Sequence, residues 1–217
     1  MIQVSELHFS TEDGVKVLDD IHLRVDQGEL MVILGSATSG KSLLLGLLGA
    51  QISPQRGQIL VHGRNVARLG ANKVLALRQK IGVYPQGFVP LPRTVHDNVA
   101  FKLRAMGNYR EQAEEKVLYA LETTSLIRQQ RTDALELSSI DRVRLGIALA
   151  ICHDPLLLLI DEPFEGLAED EKTEIARLLC RMNTGHLSIL VATRGPVPAG
   201  LQASRRIRLV DGMVKGA

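Results

Sequence analysis

Apolar and polar positions alternate through "IQVSELHF" (2–9) and "VLDDIHLRV" (17–25), a period of two that predicts antiparallel strands with one buried face. "LMVILG" (30–35) is different. It is continuously apolar, as expected of a strand covered on both faces. It runs into a glycine-bearing loop and then into "KSLLLGLLGA", a helix apolar nearly all round. "GQILVHG" predicts a short strand between glycines, "NKVLALRQ" a short helix and "IGVYP" a strand. Helical spacing then takes over in "TVHDNVAFKLRAM" and "YREQAEEKVLYALETT", parted by a turn at Gly107 and Asn108. A helix over Ser139–Cys152, the strand "LLLLID", a helix over Glu169–Met182 and the strands "SILVAT" and "RRIRLV" follow, and "DGMVKG" reads as a closing turn. Strands alternating with helices predict a mainly parallel α/β sheet. The strand-free block 86–137 reads as a helical subdomain inserted into a core of residues 1–85 and 138–217, all within one domain.

Two stretches carry chemistry. "GSATSGKS" satisfies G-x-x-x-x-G-K-[ST] at every fixed position, with Gly35, Ser36, Ala37, Thr38, Ser39, Gly40, Lys41 and Ser42 in order. Between a strand and a helix, the amides of such a loop surround an anion and the helix start adds partial positive charge. Lys41 brings a full charge to the terminal phosphates and the Ser42 hydroxyl suits Mg²⁺. The second stretch, "LLLLIDEP", is a buried strand ending in Asp161 and Glu162. Asp161 can hold Mg²⁺ through water, and Glu162 can polarise an attacking water.

These motifs occur in order with Gln86 after an apolar strand and with a Leu137–Ser138 start before the acidic pair. The combination resembles the ATP-binding subunits of ABC (ATP-binding cassette) transporters over essentially the whole chain. The resemblance implies a P-loop NTPase fold, an ABC-type nucleotide-binding domain with an antiparallel β subdomain and an inserted helical subdomain. It implies ATP and Mg²⁺ as cofactors, with Ser42, Gln86 and Asp161 around the metal, Glu162 and Lys41 catalytic, and Arg194 among the ATP-binding residues. It implies a dimer with a second ATPase subunit, each ATP lying between the phosphate loop of one and the signature helix of the other. A transmembrane permease subunit is expected to dock on region 86–107, where "GFVPLPRTVHDNV" sets Phe88, Val89 and Leu91 among prolines.

Several positions depart from the family pattern. The signature reads Ser138, Ser139, Ile140, Asp141, with Ser139 and Ile140 where the family has glycines. An isoleucine side chain there is expected to obstruct the opposite ATP. Arg194 stands at the switch histidine, and arginine cannot share a proton as histidine does. Ala168 replaces an aspartate in Phe164-Glu165-Gly166-Leu167-Ala168, and the adenine-stacking aromatic would fall near Thr11, with Phe9 the nearest aromatic. Two readings follow: an ATPase with weakened hydrolysis, best served by an intact partner subunit, or a subunit that binds ATP as a signal without hydrolysing it. Among subfamilies, "RTVHDNVA" looks like the cell-division FtsE and lipoprotein-releasing group. "GAQISPQRGQILVHG" and "DEPFEGL" look like Mla-type (MCE-linked) lipid transport, toward which the reading leans.

Composition changes little. A net charge of +2 and only 3% aromatic residues give no nucleic-acid surface or base-stacking platform. Cys152 and Cys180 read as reduced thiols, and His62, His96, His153 and His186 as surface or turn residues. No apolar run is long enough to span a bilayer and none resembles a signal peptide, so the expected place is cytoplasmic, peripheral on the inner face of the cell membrane.

Overall fold

The computed structural model describes residues 1–61, 63–108, 110–183 and 186–215. His62 therefore lies outside the described residues.

The elements in chain order are β1 (Ile2–Ser10), β2 (Lys16–Val25), β3 (Leu30–Leu34), α1 (Lys41–Leu48), β4 (Arg56–Val61), β5 (Arg64–Asn65), α2 (Ala71–Arg78) and β6 (Ile81–Tyr84). Then come α3 (Val95–Ala105), α4 (Arg110–Thr123), α5 (Ser139–Ile151), β7 (Leu157–Asp161), α6 (Glu169–Met182), β8 (Ser188–Thr193), β9 (Arg205–Val210) and β10 (Met213–Lys215). An antiparallel sheet has the order β2-β1-β4-β5, and a six-stranded sheet the order β10-β9-β3-β8-β7-β6. In the second sheet only the β10–β9 pair is antiparallel.

The continuous apolar runs are explained by two cores, one on each face of the six-stranded sheet. Leu30 and Val32 of β3, and Leu158 and Ile160 of β7, join α3 to α6 on one side. Met31, Ile33, Leu157 and Leu159 face the other side, with the leucines of α1 and the antiparallel sheet. Alternate side chains of one strand thus enter different cores, so no position is left for a polar residue. For the same reason α1, sandwiched between the two sheets, has no polar stripe.

The expected closing turn is instead a hairpin. Asp211 and Gly212 both have positive φ, 50° and 73°, as a two-residue type I′ loop requires, and β10 returns along β9. The turn is held by Asp19, whose N–H donates to the Gly212 carbonyl at 2.8 Å. A short strand at the chain end carries too few residues to announce itself by alternation.

Close packing of α5 on β6 depends on Gly82, where an added Cβ would lie 2.2 Å from the Ala150 carbonyl oxygen. A backbone oxygen cannot swing aside as a side chain can. Gly82→Ala is therefore expected to cost about 2 kcal/mol and to lower Tm by about 5 °C. Scanning calorimetry checks this; an unchanged Tm would mean that α5 shifts freely.

Candidate functional site

Parallel strands end together on one edge of a sheet. Here that edge carries the loop after β3, Asp161–Glu162 after β7 and Arg194 after β8, which is how residues far apart in sequence converge. The loop Gly35–Gly40 turns on Gly40, at φ 94°, and passes directly into α1. No side chain caps α1 and its first turn holds no acid, so its leading N–H groups are open to an anion.

Lys41 is 3% exposed. Its Nζ donates to the carbonyls of Gly35 at 2.9 Å and Ser36 at 2.7 Å and lies 3.4 Å from Oε1 of Glu162. Glu162 is also buried and adopts a positive φ of 51°, a strained state for a residue with a Cβ. Its N–H donates to the Ala192 carbonyl at 2.9 Å, which ties it to β8. Its carboxylate accepts from the Arg194 backbone N–H at 3.0 Å, and the Arg194 Nε lies 3.4 Å from Oε1. Two cations and a backbone amide thus surround one buried carboxylate.

Asp161 is 7% exposed, and its Oδ1 is a buried oxygen with no hydrogen-bond partner among the described residues. Burial pushes its pKa up; a hydrogen bond from the Ser42 hydroxyl opposes this, and Glu162 adds to the rise. An orphaned carboxylate oxygen beside an exposed hydroxyl fits a hard divalent cation, so these residues suit Mg²⁺. The linkage has a definite sign. A carboxyl whose folded pKa lies above its unfolded one contributes stability in acid that is lost as pH rises through the folded value. Near neutrality, then, Asp161 destabilises the nucleotide-free fold. Asp161→Asn is expected to raise Tm without nucleotide by about 2–4 °C and to abolish any further rise from Mg²⁺ with ATP, as thermal melts would show.

Gln86 is held by Glu165. Its Nε2 donates to Oε2 of Glu165 at 2.9 Å, and Glu165 also accepts from Nη2 of Arg194. The pattern of motifs gave no role to Glu165. A signal existed: an acid at 165 and a base at 194 are opposite charges in the two loops that flank the site. Beside the phosphate loop, a cleft of about 520 Å³ is lined by Gly35, Arg194, Arg206 and Arg208.

The signature-like residues lie on the first turn of α5. Ser138 caps the helix, accepting from the Asp141 N–H at 3.2 Å and donating to its Oδ2 at 2.9 Å. Gln129 and Arg144 also bind Asp141, at 2.9 and 2.8 Å. Ser139 is exposed. Ile140 is partly buried and packs on the core formed with α3 to α6, so its side chain is not the free obstruction expected from sequence. The helical period turns position 140 inward while 138 and 139 stay outside.

Other expectations fare variously. Phe9 is partly buried against the core between the sheets, and Thr11 is exposed. Val89 (75%) and Leu91 (42%) are exposed, whereas Phe88 packs inward beside Tyr84. Cys152 and Cys180 are free. His153 is not a simple surface residue. It is partly buried near Lys102, burial lowers its pKa to about 4, and its Nδ1 is without a partner. Among the described residues no helix is long and apolar enough to cross a membrane.

Residues 18–165 match the sequence profile described as ABC transporter. The cell division ATP-binding protein FtsE of Bacillus subtilis (strain 168) is 29% identical over 215 residues, covering 99% of this chain and 94% of that protein. The methionine import ATP-binding protein MetN of Carboxydothermus hydrogenoformans is 36% identical over 184 residues, covering 84% of this chain; the match spans 55% of MetN. Among solved structures, cbiO1 from Clostridium perfringens, part of the ABC transporter complex cbiONQ, superposes with a TM-score of 0.91 at 26% identity, covering 99% of this chain and 86% of that one. The dimeric post-hydrolysis ATP-binding cassette MJ0796, bound to ADP and Pi, gives a TM-score of 0.84 at 26% identity, covering 100% and 97%.

Proposed function

Since the chain belongs to the ABC transporter family of ATP hydrolases, which use ATP with Mg²⁺ and work as dimers with transmembrane permease subunits, we propose that it is the ATPase subunit of an envelope-related membrane complex and acts beside a second, different ATPase subunit. The observation that carries this is the asymmetry of its motifs. Lys41, Ser42, Asp161 and Glu162 are assembled on one sheet edge, while the first turn of α5 lacks both glycines. A pair with a glycine-bearing partner would have one complete site, built on this chain's phosphate loop.

In that site the loop amides and α1 bind the phosphates of ATP. Lys41 would exchange the Gly35 and Ser36 carbonyls for phosphate oxygens, leaving Arg194 as the side-chain cation beside Glu162. Ser42, Gln86 and Asp161 would hold Mg²⁺, which would neutralise phosphate charge. Glu162 accepts a proton from the attacking water. Arg194 cannot take the proton-sharing role of a histidine and serves as a fixed charge.

The envelope assignment draws support from FtsE, a cell division ATP-binding protein of which this chain matches 94% of the length. A phospholipid cargo rests only on the likeness of "GAQISPQRGQILVHG" and "DEPFEGL" to Mla-type ATPases. The membrane partner docks on region 86–107 from the inner face of the membrane. There the loop bearing Val89 and Leu91 is fixed by buried Asn98, which bonds Leu91 N at 2.9 Å and Leu91 O at 3.1 Å. Replacing Val89 and Leu91 together by Asp should cut recovery of the membrane subunit with the tagged chain at least about tenfold and leave Tm unchanged, because both side chains are exposed. Equal recovery would place the membrane contact elsewhere.

A further inference from the structure

The Gln86–Glu165–Arg194 chain has no counterpart in the roles assigned so far. Glu165 is half exposed on the loop after β7, yet one of its oxygens holds the amide of Gln86 and the other a guanidinium nitrogen of Arg194. The same guanidinium lies 3.4 Å from Glu162 through its Nε. Arg194 is therefore shared between two carboxylates, one buried and one facing a cleft of about 310 Å³ that also borders Glu162.

We infer that Glu165 is a positioning residue, which draws the Arg194 guanidinium off Glu162 and so keeps the Glu162 carboxylate open to the attacking water. This deepens the hydrolytic reading above and rests on it. A guanidinium has five donors in a rigid fork and closes readily on a single carboxylate through two of them. Glu162 is the deeper of the two anions, and a charge pair in a poorly solvated place is the stronger one. With Lys41 drawn to phosphate, Glu165 is the carboxylate that hydrogen-bonds Arg194 in competition with Glu162, while Asp161 acts on it only through charge. Without that competition Arg194 forks onto Glu162 and occupies both of its oxygens. Because Gln86 sits on the same carboxylate, any movement of Gln86 toward bound nucleotide changes how firmly Glu165 holds Arg194. The membrane-facing loop and the reacting carboxylate are thereby linked through one side chain.

Two readouts test this. In the nucleotide-free chain, Glu165→Gln should shift the Arg194 Nε–H resonance in a ¹H–¹⁵N spectrum. Glu169→Gln, an exposed acid on the same cleft, should not. In the assembled complex, Glu165→Gln should lower kcat about tenfold with KM for ATP nearly unchanged, and Glu165→Asp should restore most of the loss. In an Arg194→His background, Glu165→Gln should have no further effect. An unmoved Arg194 resonance, a wild-type kcat, or a loss that persists with histidine at 194 would each overturn the role of Glu165. A wild-type complex no faster than Glu162→Gln would instead remove the hydrolytic reading, and the Arg194 resonance would still decide whether Glu165 holds the arginine.

Discussion

Glu162→Gln is expected to lower steady-state ATP turnover of the assembled complex at least about a hundredfold, the size of effect that a general base supplies. The amide keeps the shape of the side chain and can still accept from the Arg194 backbone N–H, so the strained turn at 162 should survive. What is lost is the negative charge that sits 3.4 Å from both Lys41 and Arg194. Lys41 is then free for phosphate while Arg194 keeps Glu165, and ATP affinity should stay equal or rise. Phosphate release and equilibrium ATP binding, measured on the same preparation, separate the two effects. Turnover that survives unchanged would mean that this chain's own site does not hydrolyse ATP and that the partner's site supplies all the activity.

Lys41→Ala should act on the other side of the same contact. A ligand at about 100 times its Kd stabilises a protein by about 2.7 kcal/mol, which for a chain of this size is a rise in Tm of about 5–10 °C. That rise should vanish in the variant, because Lys41 is the buried cation whose Nζ rests on the first two carbonyls of the phosphate loop. The variant should also melt lower without nucleotide. Glu162 then keeps Arg194 as its nearest cation, and a buried charge that loses a partner is costly. Thermal melts with and without ATP and Mg²⁺ read both effects. An undiminished response to ATP would place the nucleotide elsewhere.

The parts of this architecture written in neighbouring residues were legible from sequence. The runs at β3 and β7 and the spacing Gly35–Gly40–Lys41–Ser42 are local, and so is the start of α5 at Ser139. Relations that depend on how elements pack were not legible. Ile140 was expected to face the opposite nucleotide, but the face that a first helical turn presents is set by the packing of α3 and α4 on α5. Glu165 escaped notice because its partners lie 29 and 79 residues away, and only the convergence of the loops after β6, β7 and β8 joins them. His153 looked like a turn residue, yet its neighbour Lys102 comes from α3, and burial there could not be read from the short stretch around it. The β10 hairpin was hidden by its length, though Asp211–Gly212 carried the turn chemistry. For the site as a whole, residue types were visible and their pairings were not.

The central claim is that this chain supplies one complete half-site to an unequal pair of ATPase subunits on a membrane complex. The most direct test is to tag the chain in its own cells, recover it in mild detergent and identify every protein retained in stoichiometric amount. The structure leads us to expect a transmembrane subunit together with a second ATPase subunit whose signature carries both glycines. Recovery of a membrane subunit with this chain as the sole ATPase would contradict the unequal pair and leave both sites facing a signature turn without its glycines.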